Sequence, residues 1–191
     1  MKIVFFSNSC WSIYNFRRNL IKKLIKKGEI VYVLSSRDAA TKKLIKLGCK
    51  FINLKIQNNN INPFKDFILL KKIKKILLEI KPDYILNFTI KPLIYGTFIA
   101  GILNIKSISM ITGLGTVFIK KNIVTLIVIL LYKISFHKVY KVIFQNKDDK
   151  KKFLNLKIVE TNKCILSPGS GVDLKYFKYK KNYFKNETRF L

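Results

Sequence analysis

Five short segments collect the side chains best suited to holding a ligand: Ser7-Asn8-Ser9-Cys10-Trp11-Ser12, Thr89-Ile90-Lys91-Pro92, Thr112-Gly113-Leu114-Gly115-Thr116, Gln145-Asn146 and Pro168-Gly169-Ser170-Gly171-Val172-Asp173. They contain four of the eight glycines, the only tryptophan and many of the small polar residues. Gly and Ser let backbone N–H groups approach an anion closely, and a helix starting just beyond favours negative charge. Acid–base chemistry is poorly supplied, with 10 acidic residues and one histidine, His137, in an apolar helix. No paired carboxylates and no Ser-His-Asp set stand out, so no catalytic residue is assigned. The first strand is not followed by GxGxxG, and GxxxxGK[ST] occurs nowhere, which removes dinucleotide and P-loop chemistry.

The five segments need elements that bring them to one edge. Short apolar runs of strand type lie at Ile3–Phe6, Ile30–Leu34, Lys50–Leu54, Tyr84–Phe88, Ser107–Ile111, Val139–Phe144 and Lys163–Leu166. Between them helical spacing covers Ile13–Lys27, Ala39–Leu47, Phe64–Ile80, Pro92–Leu103, Asn122–His137 and Asp148–Leu156, with Gln57–Asn62 as a polar loop. In the first helix Ile13, Phe16, Leu20, Ile21, Leu24 and Ile25 read as the core face. Arg17, Arg18, Lys22, Lys23, Lys26 and Lys27 read as the wet face. On Phe64–Ile80 the wet side is Lys71, Lys72, Lys74 and Lys75. Apolar strands without clean alternation, each followed by a helix, predict an α/β fold: one doubly wound, mostly parallel, Rossmann-like sheet covered on both faces. All five segments then read as loops at the carboxyl ends of strands, where open α/β sheets bind ligands.

At 191 residues the chain suits one well-buried domain, and 49% hydrophobic content excludes disorder. Lys and Arg number 38 against 10 acids, a formal charge of +28. About half of that excess reflects a Lys-, Ile- and Asn-rich composition. The remainder is spread along helices and suits a broad anionic membrane surface. Cys10, Cys49 and Cys164 are far apart, without CxxC or a His partner, and read as reduced side chains of a cytosolic protein. Met1-Lys2 runs straight into a strand, so no signal peptide is expected. The longest apolar run, Ile123 to Tyr132, falls short of the roughly 18–20 residues of a membrane span and reads as a core helix, with a helix lying in the membrane interface as the alternative.

The order of five motifs resembles the N-terminal domain of family 4 glycosyltransferases. They are Asn8-Ser9-Cys10-Trp11-Ser12 with Phe16-Arg17; Lys91-Pro92 with Tyr95-Gly96; Ile111-Thr112-Gly113-Leu114-Gly115 with Phe118; Phe144-Gln145-Asn146 with Asp149; and Pro168 to Asp173 with Phe177. The likeness covers essentially the whole chain and is nearest to the bacterial subgroup that extends polyprenyl-diphosphate-linked saccharides for capsule, O-antigen or glycoprotein assembly. It implies the first half of a two-domain, GT-B type fold, retention of configuration, no metal and no cofactor. It also implies a peripheral place on the inner face of the plasma membrane.

By that match Asn8, Trp11 and Arg17 face the acceptor and Lys91 meets its diphosphate. Thr112, Gly113, Leu114 and Gly115 line the cleft. Gln145, Asn146, Gly169, Ser170, Gly171 and Asp173 lie toward the donor and hinge. The resemblance places the acceptor-side domain at 1–177, with 178–191 as linker and the start of a truncated second domain. Thr188-Arg189-Phe190-Leu191 looks like that domain's first strand. Nothing matches the Glu–x7–Glu motif that binds the nucleotide sugar, so the donor enters only through a missing C-terminal half. Many relatives carry a His where this chain has Thr112-Gly113, and no base is assigned. Three readings follow: a truncated or split transferase inactive alone, a non-catalytic acceptor- or membrane-binding module, and, on charge alone, a nucleic-acid binder. The last lacks interleaved aromatic and basic residues and any helix-turn-helix signature.

Overall fold

The computed structural model describes residues 1–56, 63–115, 118, 123–174 and 178–179, and strand alternates with helix along them. β1 (Lys2–Ser9), β2 (Ile30–Ser36), β3 (Lys50–Asn53), β4 (Tyr84–Phe88), β5 (Lys106–Ile111), β6 (Lys141–Phe144) and β7 (Cys164–Leu166) form one parallel sheet in the order β3-β2-β1-β4-β5-β6-β7. The helices are α1 (Cys10–Lys26), α2 (Thr41–Lys46), α3 (Pro63–Ile80), α4 (Thr97–Ile102), α5 (Ile123–Phe136) and α6 (Lys147–Asn155). A π-helical turn, Pro92–Gly96, leads into α4. The chain winds outward from β1 to β3, returns through α3 to β4 beside β1, and winds outward again to β7. This is the doubly wound Rossmann-like sheet that the apolar runs predict. The winding reverses between β1 and β4, and such a switch opens a crevice at the strands' carboxyl ends.

Both faces of the sheet's centre are buried, which is why β1 shows no polar alternation. Ile3 and Phe5 join Ile13, Ile21 and Leu44 under α1 and α2. Val4 and Phe6 join Leu69, Ile73, Leu77 and Ile99 under α3 and α4. A third cluster packs Ile111, Val142 and Phe144 beneath Val128, Tyr132 and Phe136 of α5 and Phe153 of α6. Each such aliphatic or aromatic side chain contributes about 1.5–3 kcal/mol on burial. Gly96 is fixed by close approach, because a Cβ there would lie 2.2 Å from the Asn87 Oδ1 of β4.

Three expectations are corrected. Ser7–Ser12 is not a loop: β1 runs on to Ser9, whose hydroxyl caps α1 by accepting the Ser12 N–H at 3.3 Å. Lys91 likewise already has helical backbone angles. The wet face of α1 holds at Lys22, Lys23, Lys26 and Lys27, which are exposed, and is misplaced in the turns before them. Arg17 and Arg18 are 8% and 7% exposed, whereas Phe16 and Leu20 are 52% and 42% exposed. Burying a guanidinium is tolerable only with polar partners, and apart from Phe16 O and Tyr14 within α1, those of Arg17 and Arg18 lie 93 to 155 residues away in sequence. Finally, α5 is no core helix: Val128, Tyr132 and Phe136 are buried, but Ile123, Leu126, Ile127, Leu130 and Ile134 are exposed. Gln57–Asn62, Thr116, Lys120, Lys121, Asn122, Phe177 and Thr188–Leu191 lie outside the described residues.

Candidate functional site

The residues expected at the rim separate into three groups. Asn8, Lys91, Thr112 and Gly113 line a cavity of about 530 Å³ beside the ends of β1, β4 and β5. Most of its wall is apolar, from Ile90, Leu93 and Ile94 and from Val124, Ile127, Val128 and Leu131 of α5. The Lys91 ammonium is paired with the Asp66 carboxylate of α3 at 2.8 Å, both largely shielded from solvent. Burial, with the Asp66 charge and a hydrogen bond to it, holds the Tyr95 phenol above its ordinary value, so this wall group stays a neutral donor. Thr89, also in the wall, has a left-handed φ of 69°, an unfavourable place for a β-branched residue that costs about 1–3 kcal/mol. Leu114 leans on the α5 core, and Gly115 follows it in exposed backbone.

A second group forms a clasp. The Arg17 guanidinium donates to Ser170 Oγ at 2.8 Å, lies 2.8 Å from Met110 Sδ and stacks 4.8 Å over the Phe88 ring. Gln145 Nε2 donates to the same Ser170 Oγ at 2.9 Å. One residue along, Arg18 pairs with Asp173 at 2.8 Å. Two adjacent arginines of α1 thus pin the segment carrying Gly169, Ser170, Gly171 and Asp173. Desolvation lowers the Arg17 pKa from its ordinary value, but a guanidinium stays charged at any working pH. Arg17, expected to face an acceptor, is committed to the chain. Asn146 is committed too: its Oδ1 caps α6 by accepting the Asp149 N–H at 2.7 Å.

Trp11 stands apart. It is 58% exposed in the first turn of α1, with its ring 5.9 Å from that of Phe16. Its backbone N–H donates to Asp38 Oδ2 at 2.8 Å, so a carboxylate of the chain already occupies the helix N-terminus. His137, exposed just beyond α5, is remote from all three groups. Among the described residues no three His, Cys, Asp or Glu side chains come together as a metal site. Sequence reading missed Asp66, Asp38, Arg18 and the exposure of Phe16. For the two aspartates the signal was scarcity: with 10 acids against 38 basic residues, each acid is worth asking about.

A comparably large hollow, about 510 Å³, opens at the opposite edge beside Met1, Asp83, Tyr84 and Lys106. It lies at the strands' amino ends, away from the switch point, and the rim cavity is the better candidate.

The glycosyl transferase 4-like family model matches residues 2–146. Over 185 residues the chain is 32% identical to an N,N'-diacetylbacillosaminyl-diphospho-undecaprenol alpha-1,3-N-acetylgalactosaminyltransferase of Campylobacter jejuni subsp. jejuni, covering 93% of this chain and 48% of that one. The chain therefore spans about half the length of this curated relative. Among solved structures it resembles Anabaena Alr3699/HepE in complex with UDP and glucose, with TM-score 0.67, 16% identity, and 94% and 47% of the two chains covered. It also resembles a UDP-GlcNAc 2-epimerase from Methanocaldococcus jannaschii, with TM-score 0.60, 18% identity, and 87% and 45% covered. Both likenesses concern the fold alone.

Proposed function

The chain belongs to the glycosyl transferase 4-like family, and from that premise we propose that it is the acceptor-side half of a transferase extending a saccharide carried on a polyprenyl diphosphate. The reading is carried by the rim cavity, whose apolar wall merges with polar groups at Asn8, Thr112 and the Asp66–Lys91 pair. An apolar carrier joined to a polar head needs both chemistries side by side. The identity to a transferase named for a diphospho-undecaprenol acceptor supports the same class. In this reading Lys91 exchanges Asp66 for acceptor phosphate, and Thr112 and Gly113 line the floor of the reacting cleft. The segment Gly169–Asp173 leads toward a donor domain outside these residues. That domain holds the nucleotide sugar, and transfer proceeds with retention. The half-length match supports this division of labour.

Docking at an anionic membrane is part of the proposal. Ile123, Leu126, Leu130 and Ile134 make an exposed stripe along α5, and Phe64 and Phe67 are exposed at the start of α3 beside its lysines. Among the described residues no helix is long and apolar enough to cross a bilayer. Such a surface would lie in the interface, each lysine near an anionic leaflet contributing on the order of 1 kcal/mol.

Hydrogen exchange tests the site. Undecaprenyl-diphosphate-linked N-acetylglucosamine in mixed micelles is expected to slow exchange at Ile90–Tyr95, Thr112–Gly113 and the exposed turns of α5. Protection no greater than that given by empty micelles would contradict the reading.

A further inference from the structure

Within the acceptor reading above, on which this inference rests, the geometry points to Trp11 and Phe16 as a stacking platform for a neutral sugar ring of the acceptor. The two rings meet edge to face, at 5.9 Å and 82°, and are 58% and 52% exposed. Leaving two large apolar side chains in water forgoes stabilisation that burial would give, so an exposed rigid pair on a ligand-binding edge calls for a partner. The backbone beneath Trp11 is fixed. Its N–H donates to Asp38, its carbonyl accepts from Asn15 Nδ2 at 2.9 Å, and the Ser9 cap holds the next turn. A platform held this way loses little entropy on binding.

The surroundings select the class of ligand. The Asp38 carboxylate sits at the start of α1, where a phosphate would otherwise be favoured, and repels an anion from that spot. The neighbouring Arg17 and Arg18 are turned inward onto Ser170 and Asp173, so neither offers a counter-charge. A phosphate or a lipid headgroup is therefore a poor fit. A pyranose suits it: one ring face is C–H and packs on an aromatic plane, while the hydroxyls point to Asn15 and Asp38 at the edge. The two Asp38 oxygens accept backbone N–H groups from Trp11 and Ala40, and each keeps a lone pair free. Trp11 and Phe16 are thus positioned to read the sugar, while the cavity at Lys91 takes the carrier end.

Trp11 is the only tryptophan, so its emission reports on this spot alone. Titrating the chain with N,N'-diacetylchitobiose, a neutral soluble disaccharide, is expected to give a saturable change in tryptophan emission. F16A is expected to weaken that binding about tenfold without a change in thermal midpoint. W11F is expected to keep most of the disaccharide affinity by calorimetry, and W11A to lose it. Emission that ignores the disaccharide, or W11A binding it as tightly as the unmodified chain, would overturn the proposal. So would a response to undecaprenyl phosphate vesicles but not to the disaccharide, which would make the pair a lipid contact. Rim protection in the exchange experiment alongside a silent Trp11 would remove the platform and leave the acceptor reading standing. Loss of both would remove the reading itself.

Discussion

Helices α1 and α3 carry similar sequences, each a run of apolar residues interleaved with basic ones, yet the two arginines of α1 behave unlike any cation of α3. On α3, Lys71, Lys72, Lys74 and Lys75 all point to solvent, as their spacing indicates. On α1, Arg17 and Arg18 turn inward to the Ser170–Asp173 segment, and Phe16 and Leu20 face out in their place. Residue type is part of the reason. A guanidinium offers five donors in a fixed plane and can hydrogen-bond and stack on Phe88 at once, whereas an ammonium is strongly hydrated and favours the surface. Lys22, Lys23 and Lys26 of α1 stay in water like the lysines of α3, while its two arginines are architecture.

The sharpest way to break that contrast is to remove the clasp. R18A, or D173A from the other side, is expected to cost about 1.5–3 kcal/mol, because each removes a charge-assisted hydrogen bond that is partly shielded from solvent. Urea denaturation measures it, and the double variant should lose less than the sum of the two. Replacing Lys71, Lys72, Lys74 and Lys75 by Gln should do the converse. Folding stability should shift by no more than about 0.5 kcal/mol per site, while vesicle affinity should fall by up to roughly 4 kcal/mol in low salt. A loss of stability in the lysine variant, or none in R18A, would erase the distinction. A smaller effect sharpens it: S170A removes the exposed oxygen shared by Arg17 and Gln145 and should cost about 0.5–1.5 kcal/mol.

The last effect is a pH dependence on the α1 side, confined to alkaline solution. Burial, helped by the nearby Cys10 thiol, raises Cys49 from about 9 to about 11. A raised folded-state value means that the folded state holds its proton more tightly than the unfolded one. The contribution is complete below pH 9 and is lost as the pH climbs through 11. C49A should flatten stability across that window.

How far the sequence could be read follows from where each signal sits. Runs such as Val4–Phe6 and Tyr84–Phe88 mark buried strands locally, so the sheet and its order of strand and helix were legible. The turns after β5 and β7 were legible as well, because glycine in Thr112–Gly115 and Pro168–Asp173 announces them. Strand and helix limits slipped where capping decided them, as at Ser9, whose hydroxyl starts a helix inside what reads as a loop. The facing of α1 was not legible, since a helical wheel cannot show that Ser170 and Asp173 fold back onto it. The exposed half of α5 was hidden for a similar reason: its residues are apolar on nearly every side, and only the packing of Val128, Tyr132 and Phe136 decides which face is inside.

Central to the proposed function is that this chain holds a lipid-linked saccharide at a membrane. Co-sedimentation with anionic liposomes, with and without undecaprenyl-diphosphate-linked N-acetylglucosamine, across a salt series, tests that directly. Binding strengthened by the lipid-linked sugar and surviving moderate salt is the predicted result. Binding that ignores the saccharide and vanishes with salt would contradict it, leaving charge as the sole attraction.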